Sequence, residues 1–371
     1  MTATDQKIPI LDLKPEIDAM RAELDAAIAE VLDSGMFILG PQVKELEAKL
    51  AAYFGAKHAV TCNSGTDALV IGLRAMGIQR DDEVITTPFT FIASPESASL
   101  MGARPVFVDI EPDTFNMDVT KIEAAITPKS KAIMPVHLFG QACNMDAIMA
   151  IAAKHDLQVI EDVAQATGGK YKDKMLGSIG RLGAFSFFPT KNLGAFGDGG
   201  FMLTDDDAVA DDARMIRVHG SKTKYYNEVL GYNSRLDTMQ AAILLVKLPH
   251  LASFNEKRRA AAARYSEQLA KIDGVTPPAI SADAYHVFHQ YTIRIAGGKR
   301  DAVQKSLGEQ GVTTMTYYPV ACHQLPIYKD MNVTMPVAES LADEVLSLPM
   351  YPSLTEAQVD RVVQLIAEAM A

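Results

Sequence analysis

The chain is short of cysteine, of long apolar runs and of basic residues, and each shortage excludes something. Its three cysteines, Cys62, Cys143 and Cys322, are odd in number and far apart. They form neither a metal-ligand pair nor a disulfide framework, so no metal centre is expected and a reducing, cytoplasmic location is. No run of eighteen apolar residues occurs, and therefore no membrane span is indicated. The opening Met1-Thr2-Ala3-Thr4-Asp5-Gln6-Lys7 lacks both the charged and the apolar parts of a signal peptide. Lysine and arginine number 35 against 46 acids, a net charge of −11 that disfavours a nucleic-acid partner needing a broad basic face. A Gly-x-Gly-x-x-Gly loop after the first predicted strand is also missing. Ser64-Gly65-Thr66 stands there, and the glycines from Gly194 to Gly200 have a different spacing, which argues against a nicotinamide-dependent dehydrogenase.

What the chain does have is an alternation of strand-like and helix-like segments. Apolar runs recur at 58–62, 83–86, 105–108, 132–136, 157–161, 184–188 and 200–203. Helical periodicity appears between them, at 15–32, 42–54, 144–154 and 205–218. The pattern predicts an α/β fold with a mostly parallel seven-stranded sheet between helices. At 371 residues the chain is long for one core, so two domains are expected: a large one over 1–250 and a smaller α/β unit over 251–371. The smaller unit reads as a strand at 290–295 with helices near 300–310 and 355–370.

Chemistry concentrates around Lys191. It follows the apolar run Ala184-Phe185-Ser186-Phe187-Phe188 and precedes a loop holding Gly194, Gly197, Gly199 and Gly200. An ammonium between an apolar wall and a permissive loop is easily desolvated, which lowers its pKa and frees the amine as a nucleophile. The window alone admits either a surface lysine or a Schiff-base lysine for an aldehyde cofactor, pyridoxal 5'-phosphate. Such a cofactor needs an anion beside its ring nitrogen, and the predicted strand ending in Glu161-Asp162 supplies one. Gln165 is placed to contact the ring oxygen. Ser64, Gly65 and Thr66 open a predicted helix whose free amides suit a phosphate, and Ser186 adds a hydroxyl. Phe89, just past the strand 83–86, is the expected wall against the ring. Each feature alone also fits an ordinary strand end, helix cap or core aromatic. Ser64, Phe89, Asp162 and Ser186 nevertheless all fall at or just past predicted strand ends, where ligands bind in such sheets.

Four blocks in order carry a family resemblance: Ser64-Gly65-Thr66-Asp67-Ala68-Leu69, Glu161-Asp162-Val163-Ala164-Gln165-Ala166, the stretch 186–200, and Gly231-Tyr232-Asn233-Ser234-Arg235-Leu236-Asp237. Over nearly its whole length the chain resembles the DegT/DnrJ/EryC1/StrS sugar aminotransferases, a branch of the fold-type I pyridoxal phosphate enzymes. The resemblance implies that Lys191 binds the cofactor and moves the proton, Asp162 pairs with the ring nitrogen, and Gln165 meets the ring oxygen. Ser64, Gly65, Thr66 and Ser186 would hold the phosphate, and Phe89 would stack on the ring. It further implies a homodimer in which Asn233 reaches the neighbouring subunit's phosphate site. Arg235 becomes the candidate for the amino donor's carboxylate, or else a surface or interface arginine. Phe37, Tyr317 and Tyr318 become candidate substrate contacts. Many relatives carry His-Tyr-Pro where this chain has Tyr317-Tyr318-Pro319, which leaves the sugar open.

By the same resemblance the amino donor is L-glutamate and the acceptor a nucleotide-linked keto-sugar. Phe37-Ile38-Leu39-Gly40 and the block at Asn233 lean toward amination at C3, with C4 as the alternative. A cluster of Arg214, Arg217, His219, Lys222, Lys224 and Arg235 marks where anionic parts of the substrates are expected, or a solvated loop. A non-catalytic cofactor-binding regulator is the remote alternative. The stretch of about a dozen residues before the first helix is short for the DNA-binding segment that such a protein would carry.

Overall fold

The computed structural model describes residues 7–371. Residues 1–6, read above for the missing leader pattern, lie outside the described residues. Seven strands form the main sheet in the order His58–Cys62, Gly200–Thr204, Leu182–Ser186, Gln158–Asp162, Ser130–Ile133, Glu83–Thr86 and Arg104–Phe107. Gly200–Thr204 runs antiparallel to both of its neighbours, and the remaining pairings are parallel. The central strands are buried along their whole length because helices cover both faces, which explains why they read as continuous apolar runs. The run expected at 184–188 ends as a strand at Ser186, where its ladder closes on Gly200. Phe187 and Phe188 continue the apolar pattern into the loop that carries Lys191.

Local signals set the helix ends. The periodic stretch 15–32 divides into Lys14–Ala19 and Arg21–Ser34, because Met20 leaves helical geometry at φ −110° and ψ 12°. Gly35 then closes the second helix with a left-handed φ of 65°. Pro41 opens the helix Pro41–Phe54, where its missing N–H costs nothing. Phe54 packs with Phe185 and Phe201, ring centroids 5.0 and 5.8 Å away, at the centre of the large core.

The C-terminal unit is a three-stranded antiparallel sheet, Val275–Thr276, Tyr291–Ile295 and Val345–Leu348, packed with the helices Arg300–Glu309 and Glu356–Met370. The division expected at residue 250 falls beside a helix that belongs to both cores. In Leu251–Leu269, Leu251 packs into the large core, while Ala262, Tyr265 and Leu269 pack into the small one. Ile8 is a second departure from that division. It is buried in the C-terminal core, donating to the carbonyl of Gly311 and accepting from the amide of Thr313, both at 2.9 Å. Two backbone hydrogen bonds and a buried isoleucine outweigh sequence proximity here. Among the described residues no helix is long and apolar enough to cross a membrane.

Candidate active site

Glu161 and Asp162 are consecutive in one strand, so their side chains leave opposite faces of the sheet. Glu161 is wholly buried and accepts backbone amides from Gly177 and Ile179 at 2.8 Å and from Gly180 at 2.7 Å. It also accepts from Nε2 of His137 at 3.0 Å, since Nδ1 of that ring is already taken by the amide of Cys143. Glu161 is thus an anchor for the loop 177–180. Asp162 turns the other way, into a cavity of about 470 Å³ that also holds Lys191. One of its oxygens accepts from Ser94 Oγ at 2.7 Å and the other from the amide of Ala164 at 3.1 Å. Burial pushes its pKa up, offset in part by those hydrogen bonds and by the charge on Lys191. A buried carboxylate in this state favours a ligand that brings a cationic N–H.

Lys191 sits on a tight loop. Its amide bonds the carbonyl of Phe188 at 2.8 Å, and Ala195 bonds back to Phe187 at 2.8 Å. Only glycine fits at 194, since a Cβ there would meet the carbonyl oxygen of Pro189 at 2.3 Å. Burial lowers the pKa of Lys191 to about 8, against the pull of Asp162. The group is therefore a usable amine nucleophile near neutral pH.

The anion end of the cavity is built from two chain ends pressed together. Ser64 caps the helix Gly65–Ala75, its Oγ accepting from the amide of Asp67 at 3.0 Å. The first helical bond runs from Ala68 to Ser64, so the amides of Gly65 and Thr66 remain for an outside acceptor. Ser186 lies directly against this turn, with Oγ accepting from the amide of Phe188 at 3.2 Å and its hydrogen free to donate. Ser64, Gly65, Thr66 and Ser186 all line the cavity, as do Gln165, Tyr317 and Tyr318. Gln165 is oriented by two contacts, accepting from the amide of Phe139 and donating to Tyr318 Oη, each at 2.8 Å.

Phe89 is not at the cavity wall. It is fully enclosed in a core with Phe115, Val136 and Leu138, and an aromatic buried on both faces has none to offer a ligand. Phe91, two residues on, lines the cavity instead and is 57% exposed. Asn233, Arg235 and Phe37 do not line this cavity either. Arg235 donates to Asn233 Oδ1 at the surface, and Phe37 lies in an exposed apolar stretch with Met36 and Ile38. The basic cluster also lies elsewhere. Arg217 is committed to Glu47 and the carbonyl of Thr61, Arg214 pairs with Asp211, and Lys222 and Lys224 sit on an exposed hairpin. Ser94, Phe91 and His289 are among the cavity residues that escaped the sequence reading. The two histidines of His286-Val287-Phe288-His289, just before a strand, were the available signal for the last.

The family model for the DegT/DnrJ/EryC1/StrS aminotransferases matches residues 18–367. A pleiotropic regulatory protein of Geobacillus stearothermophilus is 53% identical, over 97% of this chain and 98% of its own length. A UDP-N-acetyl-3-dehydro-alpha-D-glucosamine 3-aminotransferase of Acidithiobacillus ferrooxidans is 48% identical, over 98% of each. Among solved structures, S. venezuelae DesV in complex with a ketimine intermediate superposes with a TM-score of 0.95 at 44% identity, covering 98% of this chain and 99% of its own. The family's cofactor is pyridoxal 5'-phosphate. The residues present fit it: a buried carboxylate facing the cavity, an amine of lowered pKa, and two free helix amides beside two hydroxyls. The chain belongs to the DegT/DnrJ/EryC1/StrS aminotransferase family.

Proposed function

We propose that the chain transfers an amino group from L-glutamate to a nucleotide-linked keto-sugar, at C3, as a homodimer with shared sites. The observation that carries this reading is the pairing of Lys191 and Asp162 in one buried cavity. Bound pyridoxal phosphate supplies an aldehyde that takes up amines and a ring that withdraws electrons from the adjacent carbon. Lys191 Nζ would be the nucleophile toward that aldehyde and, as a free amine, the base for the proton on the donor's α-carbon. Asp162 holds the ring nitrogen protonated. Gly65, Thr66, Ser64 and Ser186 would hold the phosphate, Phe91 would offer an aromatic wall to the ring, and Gln165 keeps one amide hydrogen for the ring oxygen.

The C3 assignment is supported by the 3-dehydro sugar in the name of the Acidithiobacillus relative, together with the motif at Phe37. The dimer is supported by what one protomer lacks. Among the described residues Lys191 is the only lysine or arginine lining the cavity, yet a phosphate, a donor carboxylate and a nucleotide diphosphate must all be held there. In this reading Asn233 and Arg235 serve the neighbouring protomer's phosphate and donor carboxylate.

The test is an absorption titration. Added pyridoxal phosphate should give a long-wavelength band, which L-glutamate converts to a shorter-wavelength form. A 3-keto nucleotide sugar should restore the first band. Recovery with the 4-keto isomer alone would move the assignment to C4. A band indifferent to glutamate would remove that donor, and no band at all would overturn the reading.

A further inference from the structure

One helix, Thr238–Lys247, holds the loop that carries Lys191. Gln240 and Lys247 stand about two turns apart on it and so share one face. Both reach the same short stretch of loop. Gln240 Oε1 accepts from the amide of Phe196 at 2.8 Å, and Lys247 Nζ donates to the carbonyl of Gly194 at 2.5 Å. The ammonium also lies over the ring of Phe196, 5.5 Å from its centroid. Gly194 is the residue whose close approach to Pro189 shapes the turn around Lys191, so a grip on its carbonyl is a grip on that turn.

The helix is a firm mount. Its Ala241 and Leu244 lie in the large core, and Thr238 fixes its start. Thr238 Oγ1 accepts from the amide of Gly40 at 3.0 Å, and its own amide donates to the carbonyl of Phe37 at 2.9 Å. Lys247 is buried, and an enclosed ammonium is a costly donor. Burial lowers its pKa, Glu16 from the helix Lys14–Ala19 pulls it back up, and Arg258 from the helix Leu251–Leu269 pushes it down. The groups that set the charge on Lys191 are different ones: burial first, then Asp162. His289, Tyr317 and Tyr318 also face the cavity, and burial keeps each of them neutral at pH 7. The helix therefore acts on Lys191 through position rather than through charge.

We propose that Gln240 and Lys247 are positioning residues for Lys191, tethering its loop so that the amine stays enclosed in the cavity. The proposal rests on the role given above to Lys191 and adds the groups that keep it in place. A buried carbonyl or amide that loses its partner must turn to water. Without a tether the loop moves outward at Gly194 or Phe196, and the amine is better solvated. Its pKa then climbs back toward the ordinary lysine value.

The test follows the rate at which the full chain, stripped of cofactor, captures pyridoxal phosphate as pH is raised. Wild type, Lys247→Met and Gln240→Leu are compared. In wild type the rate should level off near pH 8, the point set by Lys191. Lys247→Met should move that point up by about one unit, cutting the rate at pH 7 by about ten-fold and leaving the plateau rate unchanged. Gln240→Leu should move it the same way by about half a unit, and since that exchange alters no charge, its shift reports position alone. A tether serving stability only would lower the fraction of protein that reacts at every pH, without moving the point. An unmoved point in both variants overturns the proposal. A shift in Lys247→Met alone also overturns it, because the effect then belongs to the lost charge. Should Lys247→Met fail to fold, Gln240→Leu at its half-buried position decides alone. A wild-type rate still climbing at pH 10 would remove the Lys191 assignment itself. A wild-type plateau near pH 8 with both variants unmoved would remove only the present proposal.

Discussion

Gly65 and Ser186 lie so close that a Cβ on the glycine would come within 2.7 Å of the serine Cβ. Their contact joins the start of one helix to the end of a strand more than a hundred residues away, and in the proposed reading both grip one phosphate. Gly65→Ala must push the two apart. It should weaken pyridoxal phosphate binding by roughly ten-fold, about 1.4 kcal/mol, and leave the far-ultraviolet spectrum unchanged. An unaltered Kd in a cofactor titration would place the phosphate elsewhere.

Asp162→Asn removes the charge that, in the proposed reading, keeps the ring nitrogen protonated, while preserving shape. The variant should still bind cofactor, with the glutamate half-reaction slowed by about 100- to 1,000-fold. Single-turnover absorbance measurements would show it, and wild-type speed would end the assignment.

Glu161→Gln tests the anchor on the other face of the same strand. An amide there sets its N–H group against two of the four donors, whichever way it is turned, so stability should fall by about 2–4 kcal/mol. Urea unfolding followed by circular dichroism measures the loss. The cofactor band of the folded fraction should be unchanged, because Glu161 does not reach the cavity.

The pH dependence of cofactor capture follows from Lys191, whose pKa is lowered to about 8. The free amine is the reactive form, so the rate of band formation should rise about ten-fold per unit up to pH 8 and level off above it. A profile still climbing at pH 10 would mean that the capturing lysine is an exposed one.

Shared sites predict complementation. Lys191→Ala and Arg235→Ala chains should each be inactive alone. Co-expressed, they form mixed dimers with one intact site, giving about a quarter of wild-type activity. No recovery would place Arg235 in its own protomer's site or outside the chemistry.

The sheet was legible because its strands are buried on both faces and stand out as apolar runs. Lys191, Asp162, Ser64 and Ser186 were legible because strand ends and helix starts leave local marks. Phe89 misled for a physical reason: Phe89 and Phe91 are alike in sequence, and only the enclosure by Phe115 and Leu138 decides which is core. His289 and Ser94 were hidden because their partners, Asn192 and Asp162, are distant in the chain. Ile8 escaped for the same reason, since nothing near it points to Gly311.

That pairing of Ile8 with residues 311 and 313 bears on how the chain is made. During synthesis the segment around Ile8 emerges about three hundred residues ahead of its partners and has nowhere to dock while most of the chain is still being added. The large core, with Lys191 and Asp162, needs none of those late residues except those that cover its cavity. A nascent chain stopped before residue 311 should therefore protect the large core from protease while leaving the stretch around Ile8 open to cleavage.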